Sequence, residues 1–235
     1  MQAIILCGGL ASRLGKIAEK TPKAMLFVGD RTVLDHQIKL LDSAKVTEVI
    51  LASGHLHQII FDCIGYEHKG IKITYAKEDK RLGTGGAIKN AMKHISSDAP
   101  FFVLNGDILT QGLDLGDMLI HHRTIEKNLE QRPDGILLST LVDDVRDFGE
   151  IISDPNGKTV SFKEKEGHSR SGYINVGLYL LNKSIENYFP PKDVFSIERD
   201  VFPNVDELYS FQVEIDMIDV GVPERLDYAR SRYSA

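Results

Sequence analysis

Ala3-Ile4-Ile5-Leu6-Cys7-Gly8-Gly9-Leu10-Ala11-Ser12-Arg13-Leu14-Gly15-Lys16 decides how the rest of the chain is read. A short apolar run ending in two glycines reads as a buried strand that turns sharply at its carboxyl end. Glycines let backbone amides approach an anion closely, and consecutive N–H groups form a nest for it. Two familiar phosphate loops nearly fit. The dinucleotide fingerprint needs Gly-x-Gly-x-x-Gly, and the spacing here is wrong. A Walker A loop needs four residues between its glycines, then Lys and a hydroxyl. Five residues separate Gly9 from Gly15, and Ile17 stands where the hydroxyl should be. What remains is Gly8-Gly9, the guanidinium of Arg13 and, ten residues on, Pro22-Lys23. Two separate cations suit a polyphosphate, although a tight turn with solvated surface cations has the same letters.

Outward from this loop, apolar runs alternate with amphipathic stretches. Thr32 is placed to cap a helix carrying Leu34, Ile38 and Leu41 on one face. A strand over 46–52, a helix over 57–64, a strand over 71–76, a helix over 87–95 and a strand over 101–104 follow. This alternation predicts an α/β fold: a Rossmann-like, doubly wound, mostly parallel sheet that binds ligands beyond the carboxyl ends of its strands. The second half differs. Residues 128–135 read as a loop, and Asp154-Pro155-Asn156-Gly157 as a hairpin turn between strands. Further strands are expected over 173–181 and 211–215, with a closing helix from Pro223 to Arg232. The expectation is one domain over 1–235, with a small β-rich lobe in its second half.

With 235 residues, 42% hydrophobic and 26% charged, the composition is that of a folded globular chain with one large core. The net charge of −6 argues against a nucleic-acid partner, which needs a basic face. It leaves room for a single nucleotide in a cleft. No apolar run reaches the ~20 residues of a membrane helix, and the two cysteines, Cys7 and Cys63, lack metal or redox spacing. The expected compartment is the cytoplasm, with no membrane partner.

Gly8-Gly9-Leu10-Ala11-Ser12-Arg13-Leu14 followed by Pro22-Lys23 resembles the GGxGTRL…PK motif of sugar-1-phosphate nucleotidyltransferases. Further landmarks follow in order: Leu82 to Ala87, Asn105-Gly106-Asp107, Phe162 to Lys165, Asn175-Val176-Gly177 and Ile218 to Glu224. They span nearly the whole chain. The sequence departs from the family pattern at Ala11-Ser12, usually Gly-Thr, and at Glu166, often Pro.

The resemblance implies that 1–125 is mainly nucleotide-binding and 126–235 mainly sugar-phosphate-binding, the small β-rich lobe being the sugar-binding one, and it implies roles for particular residues. Arg13 and Lys23 would be catalytic, neutralising the triphosphate. Leu6, Gly8, Gly9, Glu78, Gly83, Gly85 and Gly86 would bind the nucleotide, the paired glycines letting a flat base lie against backbone. Gly149, Glu164, Lys165 and Asn175 would hold the sugar phosphate. Asp107 and Asp219, both following apolar runs, would hold Mg²⁺, which accepts two carboxylates when phosphate oxygens and water complete its shell. Each has a plain structural reading as well: Asp after a strand caps turns, and the charge run 163–166 suits a solvated hairpin edge.

The implied reaction is nucleotidyl transfer from a nucleoside triphosphate to a sugar 1-phosphate. The segments 82–88 and 218–224 look most like those of bacterial D-glycero-α-D-manno-heptose 1-phosphate guanylyltransferases, which favours GTP. Mannose-1-phosphate guanylyltransferases and N-acetylmuramate 1-phosphate uridylyltransferases are the alternatives. A glycosyltransferase would carry Asp-x-Asp, of which Asn105-Gly106-Asp107 holds half. A silent paralogue that binds sugar nucleotide is the non-enzyme alternative. Oligomeric state is left open.

Overall fold

The computed structural model describes residues 1–163, 167 and 169–233. The first half contains strands β1 (Gln2–Leu6), β2 (Phe27–Val28) and β3 (Arg31–Thr32), helix α1 (Val33–Leu41), β4 (Glu48–Ser53) and α2 (His57–Ile64). It continues through β5 (Glu67–His68), β6 (Ile71–Lys77), α3 (Gly83–Met92), β7 (Phe101–Asn105), β8 (Ile108–Gln111) and α4 (Leu115–Leu129). The second half contains β9 (Gly135–Val142), β10 (Glu150–Ser153), β11 (Thr159–Lys163), β12 (Gly172–Leu181), α5 (Ile197–Asp200), β13 (Leu208–Gln212), β14 (Asp216–Asp219) and α6 (Pro223–Arg232).

The central strands β7, β1, β4 and β6 run parallel, in that order. Their side chains alternate between two buried faces, which is why β1 reads as a continuous apolar run. Ala3, Ile5, Leu51 and Phe102 pack with Leu34, Ile38 and Leu41 of α1 and Met118 of α4. Ile4, Ile50 and Val103 pack on the opposite face with Ala87, Ile88 and Ala91 of α3. Helices thus cover both faces, as the alternation implies. A third cluster joins Leu14, Val28 and Leu109 to Leu226 and Ala229 of α6.

Local signals explain several boundaries. The Thr32 hydroxyl accepts the Asp35 N–H at 3.1 Å while Asp35 returns a bond to the Thr32 N–H at 3.2 Å, a reciprocal cap that starts α1. Pro223 opens α6. Asp154 accepts the Asn156 N–H at 2.9 Å, and Gly157 has φ +82° in the turn joining β10 to β11.

Other elements differ from expectation. Helix α3 begins at Gly83, so the second glycine cluster forms its first turn instead of preceding it. The strand expected over 211–215 is centred earlier, as β13, and β14 follows separately.

The chain leaves β1 for β4 and β6 on one side, then returns to β7 on the other, so the winding reverses between β1 and β7. Antiparallel β12 lies beside β7 and changes register between Asn175 and Tyr179. Gly177 sits in this bulge at φ +81°, and a Cβ there would lie 2.4 Å from the Asn105 side-chain nitrogen. A residue without a side chain is required by both the backbone angle and the close approach. The first half of β12 pairs with β9 and β10, and the second half, past the bulge, with β9 and β7.

Candidate active site

Leu6 and Asn105 end β1 and β7 in register, at the point where the winding reverses. The Gly106 N–H bonds the Leu6 carbonyl at 3.1 Å and closes the two ends together. Beyond them lies a cavity of about 260 Å³ lined by Leu6, Gly8, Gly9, Lys23 and Glu78. A second cavity of about 790 Å³ is lined by Arg13, Gly149, Asn175 and Asp219. Gly83, Thr84, Asn105 and Asp107 line both. The site is one cleft with two compartments, and Asp107 stands at the junction.

Charged groups from distant segments converge there. Lys23 Nζ lies 2.8 Å from Asp107 Oδ2, and the Val220 N–H bonds the Asp107 carbonyl at 2.9 Å. Asp219 accepts the Gly221 N–H at 2.7 Å and an Arg225 N–H at 3.0 Å. A Cβ built on Gly221 would lie 2.6 Å from Asp219 Oδ1, 3.2 Å from Arg13 Nη2 and 3.3 Å from Lys23 Nζ. Arg13, Lys23 and Asp219 therefore surround one point beside Asp107.

The donor set suits a hard divalent ion that shares its shell with substrate. Asp107 and Asp219 are both only partly covered, and each supplies oxygen ligands. Among the described residues no cluster of three or more His, Cys, Asp or Glu side chains forms a metal cage. An ion held by these two carboxylates would complete its shell with phosphate oxygens and water.

At the smaller cavity the Glu78 carboxylate leans over Gly8, where a Cβ would lie 2.7 Å from Oε1. Its Oε2 accepts the Leu82 N–H at 3.2 Å. Burial raises the Glu78 pKa, opposed by the Leu82 amide and by Arg81. Cys7 lines the same cavity, but burial first and Asp107 second push its thiol up to about 12, so it supplies no nucleophile.

Gly85 and Gly86 stand apart from the other glycines of the site. Neither lines the two cavities; both are buried against the segment before α5. A Cβ on Gly85 would lie 2.3 Å from the Phe195 ring, and one on Gly86 2.3 Å from the Asp193 carbonyl oxygen. Their smallness serves helix–loop contact, and the Gly85 N–H is spent on the Phe195 carbonyl at 3.0 Å. Gly83 does reach both compartments.

At the larger cavity, the Asn175 N–H bonds the Gly149 carbonyl at 2.8 Å. The Asn175 side chain is engaged by Tyr179 and by the Gly177 N–H. Glu164 and Lys165 lie outside the described residues.

Several cleft residues carried no sequence assignment. Glu198 accepts the Thr84 hydroxyl at 2.6 Å and the Ser196 hydroxyl at 2.7 Å, linking α5 to the wall both cavities share. Thr84 is the one hydroxyl inside a glycine cluster, a signal that was available. Arg225 and Phe148 left no such trace. In the glycine loop, Ala11 adopts φ 53°, ψ 30°, the left-handed region, at the position where the family motif usually has glycine.

A family model described as nucleotidyl transferase matches residues 2–221. The D-glycero-α-D-manno-heptose 1-phosphate guanylyltransferase of Campylobacter jejuni is 36% identical, covering 95% of this chain and 96% of the relative. The mannose-1-phosphate guanyltransferase of Schizosaccharomyces pombe is 32% identical over 95% of this chain, but the match spans 62% of that longer protein. The crystal structure of HddC from Yersinia pseudotuberculosis complexed with GMP-PN superposes with a TM-score of 0.81 at 32% identity, covering 99% of each chain. A cleft at the switch point, with cations and two carboxylates gathered from both halves, accompanies these matches: the chain belongs to the nucleotidyl transferase family.

Proposed function

We propose that this protein transfers GMP from GTP to D-glycero-α-D-manno-heptose 1-phosphate, releasing pyrophosphate and forming the GDP-linked heptose. The observation that carries the reading is the convergence of Arg13, Lys23, Asp107 and Asp219 where the two cavities meet. A heptose 1-phosphate guanylyltransferase aligned along almost its whole length supports the choice of sugar and base. Mannose enzymes align with the same chain over less of their own length.

The nucleotide takes the smaller cavity, with its phosphates directed to the junction. When ionised, Glu78 offers acceptors only. Guanine presents two adjacent donors, N1–H and the 2-amino group, and adenine, uracil and thymine lack that pair. The sugar phosphate takes the larger cavity. Its second ionisation lies near pH ~6, so most of it already carries two charges at neutral pH and no general base is required. One phosphate oxygen attacks the α-phosphorus, the bond to the bridging oxygen of the β-phosphate breaks in line, and that electron pair leaves with pyrophosphate.

Catalysis is then alignment and charge neutralisation. Arg13 steadies the β- and γ-phosphates, and Lys23 exchanges Asp107 for the α-phosphate region. Lys165 is assigned to the sugar phosphate and Glu164 to a sugar hydroxyl, on the family motif. Mg²⁺ at Asp107 and Asp219 would supply neutralisation between two anions that otherwise repel.

The test is pyrophosphate release with Mg²⁺ across GTP, UTP, dTTP, CTP and ATP. Each is paired with heptose, mannose, glucose and N-acetylmuramate 1-phosphates, with Asp107→Asn as control. Release confined to GTP with heptose 1-phosphate is expected. Turnover with mannose or N-acetylmuramate 1-phosphate instead replaces the substrate assignment. Silence throughout, together with a melting temperature raised by GDP-sugars, makes the protein a sugar-nucleotide binder.

A further inference from the structure

We propose that Arg225 is a positioning residue that fixes the Asp147–Gly149 turn over the sugar cavity by tying it to Asp219. The turn and Asp219 line the same compartment. From inside, the turn is held by two backbone bonds: the Phe148 N–H to the Val145 carbonyl at 3.0 Å, and the Asn175 N–H to the Gly149 carbonyl at 2.8 Å. Neither fixes the Phe148 side chain. Arg225 meets that ring, with its guanidinium carbon 5.5 Å from the ring centroid. The same guanidinium bonds Asp219 Oδ2 at 3.0 Å and approaches an Asp147 oxygen at 4.0 Å.

The base of this clamp is rigid. Arg225 is in the first turn of α6, whose next residue, Leu226, is fully buried with Ala229 in the third core cluster. The guanidinium is therefore delivered from a packed helix to a turn with little core of its own. A forked, permanently charged group suits this place, because it must lie over a ring and serve a carboxylate together. Lysine would have to divide one ammonium between the two.

The proposal rests on the larger cavity being the sugar-phosphate compartment. Arg225→Gln should raise the KM for the sugar 1-phosphate about tenfold while the KM for GTP moves less than about twofold. Arg225→Lys should fall between. Parallel rises in both KM values, or no rise in either, overturn the proposal.

The chain contains no tryptophan, so Phe148→Trp places a single fluorophore on the turn. Adding Arg225→Gln to that variant should at least double acrylamide quenching without any ligand present. Unchanged quenching also overturns the role of Arg225. This second measurement needs no turnover, so it decides the point even if every substrate pair fails and the proposed reaction falls.

Discussion

Gly86→Ala separates two reasons for a glycine beside the smaller cavity. A methyl group at this position would lie 2.3 Å from the Asp193 carbonyl oxygen, where real Cβ contacts stay beyond 3.0 Å. The backbone of α3 or of the 193–195 segment must therefore retreat by about 0.7 Å, and overpacking of this kind costs roughly 1–3 kcal/mol. Alanine recovers some of this, since replacing glycine inside a helix gains roughly 0.5–1 kcal/mol. The net runs from near zero to a loss of about 2.5 kcal/mol. For a chain of this size that lowers Tm by up to about 10 °C. Gly9→Ala is the comparison, because a Cβ there meets nothing within 4 Å although Gly9 lines the cavity. Thermal unfolding of both variants, with GTP affinity measured alongside, is the assay. Gly86→Ala should lose stability, and Gly9→Ala should keep its Tm while binding GTP more weakly. A Gly86→Ala protein that melts with wild type yet loses GTP affinity would refute the packing argument and restore the reading in which a base lies on that glycine.

Lys23→Ala should lower kcat by about 10²–10³ for pyrophosphate release, the scale of a lost charge contact in the transition state. Its partly exposed pair with Asp107 is worth at most about 1 kcal/mol, so Tm should shift by no more than about 4 °C. Asp35→Asn should destabilise the protein by about 1–3 kcal/mol near neutral pH. Burial alone would raise the Asp35 pKa, but hydrogen bonds from His68, Lys69 and Thr32 outweigh it and hold the carboxyl well below the usual range. Because the folded pKa is depressed, the wild-type advantage is full above the reference value of 3.8 and disappears as pH falls further. Denaturant titrations at about pH 7 and pH 3 check it. Native protein treated with a thiol reagent at neutral pH should lose Cys63, which is exposed, and retain Cys7, whose buried thiol stays protonated.

Elements that carry their own start and stop chemistry were legible from sequence. Thr32 and Asp35 cap α1, Pro223 opens α6, and the Asp154–Gly157 turn registers β10 on β11. Helix α4 and strand β9 were not assigned. On α4 the core-facing positions are Leu115, Met118, His122 and Ile125, and a histidine in that stripe breaks the apolar period. His122 is tolerated there because Asn182 bonds its ring at 2.9 Å, a partner 60 residues away. The strand after it could not be placed while its helix was missing. In the site, charged residues flanked by glycines stood out, and Arg13, Lys23, Asp107 and Asp219 do lie together. For Gly85 and Gly86, sequence does not say which neighbour a glycine makes room for. Here it is Phe195 and Asp193, more than 100 positions on. Arg225 escaped notice because its partners, Phe148 and Asp219, come from two other segments.

Ala11 sets how the glycine loop spends conformational freedom. A left-handed residue with a methyl group costs about 1–2 kcal/mol relative to ordinary backbone, and the buried Ala11 side chain in the third core cluster helps hold it there. The cost is met once, when the chain folds. A glycine at this position would relax the folded loop and widen the range of shapes it explores while empty, leaving part of the ordering to be done by each arriving triphosphate. In the proposed reaction the alanine moves part of that expense from every catalytic cycle to a single folding event, leaving the loop shaped before its ligand arrives.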